Sequence, residues 1–220
     1  MTFQSLGYQI IKDCFSLAEC EQISINLEGL KVVGTRCLLH YQWCQTLAKI
    51  IQKKLINNCP NIEKLVTVQC TYFKKSLSSN WFVAFHQDRS IPVSKSVSNH
   101  WSGWSQKEGM TFIHGPDNIL KNMIAVRLHL DDSTKDNGPL LVIPGSHSQG
   151  TLNHQKISQL KESIPKHQLL VSKGDVIIMR PLLLHASSKS STLLSRRVLH
   201  CIFGPKVLPK GLKWPDIIQL

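Results

Sequence analysis

The chain has 220 residues, and 26 Lys and Arg against 14 Asp and Glu give it a formal net charge of +12. That length suits one barrel-sized domain with a real core, and no apolar run approaches the roughly 18 residues that a membrane helix needs. The basic excess falls mainly in 151–220, where eleven Lys and Arg face three Asp and Glu. They are scattered singly without interleaved aromatics, which reads as solvated surface and not as a nucleic-acid stripe. Seven cysteines without a Cys-x-x-Cys pair suggest neither a zinc knuckle nor a disulfide framework. The start, Met1 to Leu6, lacks a basic segment leading into an apolar one, so a cytoplasmic protein with reduced thiols is expected.

Helices come first. Ser16 with Glu19 three residues later forms a capping-box pattern opening a helix that reaches about Leu30. A second helix is expected from about Leu38 to Asn57, with Cys44, Leu47, Ala48, Ile51 and Leu55 at helical spacing. Strands follow at about 66–75, 81–87, 122–130, 140–143, 168–172, 175–180 and 196–203, separated by Gly, Asn, Asp and Pro signals. Between Arg89 and Asn118 lies a long Ser- and Gly-containing segment carrying His100, Trp101, Trp104 and His114. Loops of that length are usually functional, and the two tryptophans suggest a lid over a pocket, or equally an anchor of the loop to the barrel wall. Asp136-Asn137-Gly138-Pro139 reads as a tight turn, and His147 in Pro144-Gly145-Ser146-His147 as a structural residue. Arg127 and His129 share one face of the Met123–Leu130 strand, which either lines a polar cavity or faces solvent.

The chemistry concentrates in His86-Gln87-Asp88, which ends the aromatic run Trp81-Phe82-Val83-Ala84-Phe85, and in His185, which follows Pro181-Leu182-Leu183-Leu184. Side chains alternate along a strand, so the outer residues of His-x-Asp project to one side. Two histidines and one carboxylate on one face of an iron leave the other face open, the ligand set of non-haem Fe(II) oxygenases. Beyond a polar turn at 187–191, alternation in Arg196–Phe203 puts Arg196, Val198, His200 and Ile202 on one face and Arg197, Leu199, Cys201 and Phe203 on the other. Only one of the adjacent arginines can enter a barrel interior.

On Phe85-His86-Gln87-Asp88, Asp131-Asp132, the run Asn137-Gly138-Pro139-Leu140-Leu141-Val142-Ile143-Pro144-Gly145-Ser146-His147, Gly174-Asp175, His185 and Arg196, the chain resembles the phytanoyl-CoA dioxygenase-like branch of the Fe(II)/2-oxoglutarate-dependent oxygenases. The pieces occur in the family's order and cover about residues 66 to 204. The resemblance implies a mainly β fold with flanking α-helices, a double-stranded β-helix also called a jelly roll or cupin-like barrel. It divides the single domain 1–220 into a helical lead-in (1–65), a barrel core (66–204) and a C-terminal tail (205–220). It assigns His86, Asp88 and His185 as catalytic Fe(II) ligands and Arg196, eleven positions after His185, as the residue binding the 2-oxoglutarate carboxylate.

Arg127 and Lys75 are further candidates for holding the co-substrate. Gln69, Trp101, Trp104 and His129 are candidates for the substrate. Gln69 and Lys75 occur at spacings similar to those of ectoine hydroxylases, but Phe73 stands where those enzymes place an asparagine. The implied reaction consumes dioxygen, converts 2-oxoglutarate to succinate and carbon dioxide, and hydroxylates a C–H bond. Halogenation is disfavoured because Asp88 occupies the carboxylate position. The expected substrate is a small anionic or zwitterionic metabolite, with neither nucleic acid nor membrane as partner. The alternatives are a non-catalytic cupin-like protein that binds metal or ligand, and an oxygenase acting on a macromolecule.

Overall fold

In the computed structural model, which describes residues 2–30, 34–94 and 101–215, the chain alternates between two facing antiparallel sheets. The strands are β1 (Tyr8–Ile11), β2 (Gly34–Thr35), β3 (Leu65–Lys75), β4 (Val83–His86), β5 (Ser90–Val93), β6 (Ser105–Lys107), β7 (Met110–His114), β8 (Ile124–His129), β9 (Leu140–Val142), β10 (His167–Leu169), β11 (Val176–Met179), β12 (His185–Ser187) and β13 (Arg196–Pro205). The larger sheet has the order β1-β11-β8-β13-β3-β2 and the smaller one β10-β9-β12-β4. Followed along the chain, β3, β4, β8 and β9 alternate between the sheets, β9 and β10 pair within the smaller one, and β11, β12 and β13 alternate again, which is the winding of a double-stranded β-helix.

The helices are α1 (Phe3–Leu6), α2 (Leu17–Glu28), α3 (Gln42–Leu55), α4 (Asp117–Leu120) and α5 (His154–Ser163). The Ser16 hydroxyl accepts from the Glu19 backbone N–H while the Glu19 carboxylate accepts from the Ser16 N–H, so the capping box opens α2 as its sequence predicts. The second expected helix is divided: Leu38–His40 forms a 3-10 turn, and Tyr41, in extended geometry, precedes α3. Both long helices lie against the outer face of the larger sheet. Cys20, Ile23, Leu27, Leu47, Ile51 and Leu55 pack there with Leu128, Leu199, Cys201 and Phe203. Their alternate neighbours on the same strands face inward.

Three features depart from the sequence reading. The lead-in is not wholly helical, because Tyr8–Ile11 pairs antiparallel with Val176–Met179 and extends the larger sheet. The Arg89–Asn118 segment is not one loop. Its described residues form a three-stranded sheet of order β5-β7-β6 followed by α4. Glu108 and Gly109, both at positive φ, make the two-residue hairpin turn between β6 and β7; His100 lies outside the described residues. The tail also returns to the barrel. Leu208, Leu212 and Trp214 are buried against the inner cluster, and the Trp214 indole N–H donates to the Pro205 carbonyl.

Candidate metal centre

β4 and β12 are hydrogen-bonded neighbours in the smaller sheet, with His86 directly opposite His185. This register brings the two rings to a centroid separation of 4.2 Å. Just past the end of β4, the Asp88 backbone N–H donates to the Pro181 carbonyl, which fixes the third residue of the set. Alternation sends the middle residue of His-x-Asp the other way. The Gln87 amide donates to the Gly150 and Leu182 carbonyls and accepts from the Leu152 N–H, pinning the triplet from behind.

Each histidine directs Nδ1 at the carbonyl two residues before it, His86 at Ala84 (2.9 Å) and His185 at Leu183 (2.8 Å). Carbonyls only accept, so Nδ1 carries the hydrogen in both rings and the Nε2 lone pairs face the site, the tautomer a metal requires. Nε2 of His86 stands 3.6 Å from Asp88 Oδ1, and Nε2 of His185 stands 3.7 Å from Oδ2. The three ligand atoms all lie within 4.8 Å of one another. These separations are too long for hydrogen bonds and suit an ion bonded to each at roughly 2 Å. Among the described residues this is the one group of three or more His, Cys, Asp or Glu so disposed.

The three ligands open on a cavity of about 410 Å³ between the sheets. Its far wall is the inner face of β3, β13 and β8, where Gln69, Thr71, Phe73, Arg127, Arg196, His200 and Ile202 line the space. Arg196 is 4% exposed, opposite Lys75 on β3. Its Nε donates to the Asn137 carbonyl at 3.3 Å, while Nη1 is buried with no partner among the described residues. Burial, aided by the neighbouring Arg127 charge, pushes its pKa down to about 9. Arg197 faces the other way and forms a two-pronged ion pair with Asp131 through Nε and Nη2 (2.9 and 2.7 Å). The expected division of the two arginines between the faces of β13 is therefore the observed one.

The other expected residues separate into those at the cavity and those away from it. Gln69 and Arg127 line it. Lys75 is buried one layer behind, its ammonium donating to Ser187 Oγ (2.7 Å) and the Ser188 carbonyl (2.5 Å). This arrangement requires a glycine at 138, because a Cβ there would meet the Ser188 carbonyl at 2.5 Å and Lys75 Nζ at 3.1 Å. His129 points to the inner side as expected but is fully buried beyond the lining, with neither ring nitrogen paired. Trp101 and Trp104 do not line the cavity. Trp101 packs against the inner apolar cluster, in keeping with the anchoring alternative, and Trp104 is 44% exposed, so neither forms the expected lid. Trp81 is the tryptophan that reaches the cavity, with Lys75 Nζ 5.5 Å from its ring centroid. Arg89 joins the lining directly after Asp88, and Arg36, Lys107 and Phe112 join it from segments remote in sequence. No local pattern marks them.

A family model described as phytanoyl-CoA dioxygenase matches residues 3–198. The peroxisomal phytanoyl-CoA dioxygenase of Mus musculus is 29% identical over 103 residues, and that of Rattus norvegicus 28% over 102. Each match covers 40% of this chain but only 29% of the relative's length. Among solved structures, HygX from Streptomyces hygroscopicus with nickel and 2-oxoglutarate bound superposes with a TM-score of 0.66 at 15% identity, covering 94% of this chain and 85% of that one. The apo form of EctD from S. alaskensis gives 0.66 at 17% identity, covering 93% and 75%. The non-haem α-ketoglutarate-dependent carbocyclase SnoK of nogalamycin biosynthesis gives 0.67 at 13%, covering 92% and 81%. At such identities the structural likeness establishes the fold.

Proposed function

The chain belongs to the phytanoyl-CoA dioxygenase family, and from that membership we propose that it is a non-haem Fe(II)- and 2-oxoglutarate-dependent dioxygenase hydroxylating a C–H bond of a small anionic metabolite. One observation supports this reading above the others. Two imidazole lone pairs and a carboxylate converge on the same cavity as a buried guanidinium with no carboxylate partner among the described residues. A protein that merely stored metal would have no physical need for that unpaired cation.

His86, Asp88 and His185 would hold the iron and leave part of its coordination open, room for the 2-oxo acid and dioxygen. Iron bound there supplies dioxygen activation coupled to decarboxylation of 2-oxoglutarate to succinate and carbon dioxide, with one oxygen atom passing to the substrate. Arg196 takes the far carboxylate of 2-oxoglutarate in a fork that lysine cannot copy. Lys75 and Arg127 add positive charge beside it, and Ser187, which lines the cavity and accepts from Lys75, links that charge to the wall. Gln69 and Trp81 bound the remaining space on the substrate side.

Charge supports the substrate class. Five cations (Arg36, Arg89, Lys107, Arg127 and Arg196) line the cavity, of which Arg36 is already paired with Glu108, and Asp88 is the one carboxylate among the lining residues. A dianionic co-substrate balances part of that excess; an anionic substrate balances more. Aerobic incubation with Fe(II) and 2-oxoglutarate should yield succinate. A set of small carboxylates and phosphates screened in the same mixture should contain one that gains the mass of a single oxygen. Metal binding without succinate under any of these conditions would mark a binding protein instead, and succinate formation stimulated by peptides or oligonucleotides alone would shift the substrate to a macromolecule.

A further inference from the structure

A third imidazole faces Asp88, and its role differs from that of the two ligands. His200, 5% exposed, lies on the inner face of β13 one turn of the pleat beyond Val198. Its Nε2 stands 3.6 Å from Asp88 Oδ2, and its Nδ1 is 3.1 Å from Arg127 Nη1. Phe73 braces both groups, its ring edge-on to His200 at 6.0 Å and 5.7 Å from the Arg127 guanidinium carbon.

These contacts determine where the hydrogen sits. A guanidinium has only donors and keeps its proton, so Nδ1 of His200 must present its lone pair to Arg127. The hydrogen of a neutral imidazole then lies on Nε2, directed at Asp88. A flipped ring would set carbon atoms against both the guanidinium and the carboxylate, so the orientation follows from the same contacts. In His86 and His185 the assignment is reversed, because their Nδ1 atoms donate to carbonyls and their Nε2 atoms carry lone pairs. Of the three rings around Asp88, only His200 offers it an N–H. Having that hydrogen, His200 cannot itself ligate, in keeping with its place outside the group of ligand atoms within 4.8 Å.

We propose that His200, held in its Nε2–H form by Arg127, is the positioning residue of Asp88, donating to one carboxylate oxygen so that the other alone binds the metal. The inference rests on the reading of His86, Asp88 and His185 as iron ligands. Its consequence is coordinative. A carboxylate free to bind through both oxygens would occupy a position that the co-substrate and dioxygen need, whereas one oxygen engaged by an N–H leaves the open face intact. At 3.6 Å the two groups are close but not hydrogen-bonded; in this proposal Asp88 turns toward His200 as the metal loads the site.

Two measurements test this separately from turnover. In the metal-free full-length protein, nitrogen-15 imidazole spectra, with His200 assigned by its loss in His200→Gln, should show a single Nε2–H tautomer. Arg127→Met should convert that signal to a tautomer mixture or a protonated ring. An Nδ1–H tautomer in the wild type, or no response to Arg127→Met, overturns the proposal. Titration with Co(II) or Ni(II) as probe should then give His200→Leu a 10–100-fold loss of metal affinity, the usual effect of removing an outer-shell partner. His200→Gln, whose amide N–H can replace the donor, should recover most of it. Equal affinities for wild type and a folded His200→Leu also overturn the proposal, and if the leucine variant fails to fold, the Arg127→Met spectrum decides. A wild type that binds neither metal removes the iron reading itself, a result the tautomer measurement distinguishes.

Discussion

The two faces of the larger sheet are built from the same strands and do opposite work. Along β13 the outer residues Leu199, Cys201 and Phe203 pack with α2 and α3 in one apolar cluster. Arg197, also outward, has a matched carboxylate in Asp131. The inner residues Arg196 and His200, with Arg127, His129 and Lys75 beside them, are buried polar groups. There Arg196 Nη1, Arg127 Nε and both His129 nitrogens lack hydrogen-bond partners. Buried donors without acceptors cost folding free energy, and burial pushes the Arg127 and Arg196 pKa values down to about 10 and 9. The outer face carries much of the packing, and on the reading proposed above anions and a metal would complete the charges of the inner face.

The largest expected effects separate the two faces. Asp88→Ala should abolish metal retention and turnover, measured by bound metal and succinate release, while changing unfolding free energy by less than about 1 kcal/mol. Phe203→Ala, on the outer side, should do the reverse. Deleting a fully buried ring should cost about 3–5 kcal/mol in denaturant unfolding, and the fraction that remains folded should bind metal as the wild type does. A folded Asp88→Ala protein with full activity would remove the carboxylate from the site. A Phe203→Ala protein of unchanged stability would remove the outer cluster as the source of stability.

The division of faces was legible in the sequence wherever period-two alternation runs unbroken. Arg196 through Phe203 alternates cleanly, so the opposite fates of Arg196 and Arg197 could be read from parity, as could the common direction of His86 and Asp88. Legibility ended where partners lie far apart in the chain. Parity placed His200 inward but could not supply Arg127, 73 residues away, and nothing local marks Arg36 or Lys107 as cavity residues. Tyr8–Ile11 was missed because Tyr-Gln-Ile-Ile is short and ends in two adjacent apolar residues, which breaks period-two alternation. In 101–114 the serines and glycines outweighed the strand signal of Met110–His114, and the hairpin turn at Glu108–Gly109 lacks the usual Asn or Asp, with Glu108 itself at φ 50°.

The adjacent arginines sharpen the comparison within a single strand. Arg196→Lys replaces a two-point guanidinium contact with a point charge and should raise the 2-oxoglutarate constant about 10–100-fold, equivalent to roughly 1.5–3 kcal/mol for a charged hydrogen bond. Arg197→Lys should leave that constant nearly unchanged and cost less than about 1 kcal/mol of stability through its partly exposed pair with Asp131. Steady-state kinetics on the two variants measures the difference. If their effects were exchanged, the inward set Arg196, Val198, His200 and Ile202 would be displaced by one residue along β13.

The smallest effect expected is a pH dependence centred on Lys75. Burial, followed by the charges of Arg196 and Arg127, lowers its pKa to about 8, below the values of about 9 and 10 to which burial lowers Arg196 and Arg127. In the protein without co-substrate, the unfolded chain binds more protons than the folded one between about pH 8 and the ordinary lysine value. Unfolding free energy should therefore rise with pH across that window. Binding of 2-oxoglutarate has the opposite sign. A dianion beside Lys75 favours the ammonium form, so affinity should be full below pH 8 and fall a few-fold as pH rises above it, with proton uptake on binding near pH 8. Calorimetry in buffers of different ionisation enthalpy measures that uptake. In Lys75→Met the pH dependence of both stability and affinity should flatten, while the difference between Arg196→Lys and Arg197→Lys persists. An unchanged pH profile in Lys75→Met would place Lys75 with the structural groups behind Ser187 and Ser188 and leave Arg196 and Arg127 as the charges the co-substrate meets.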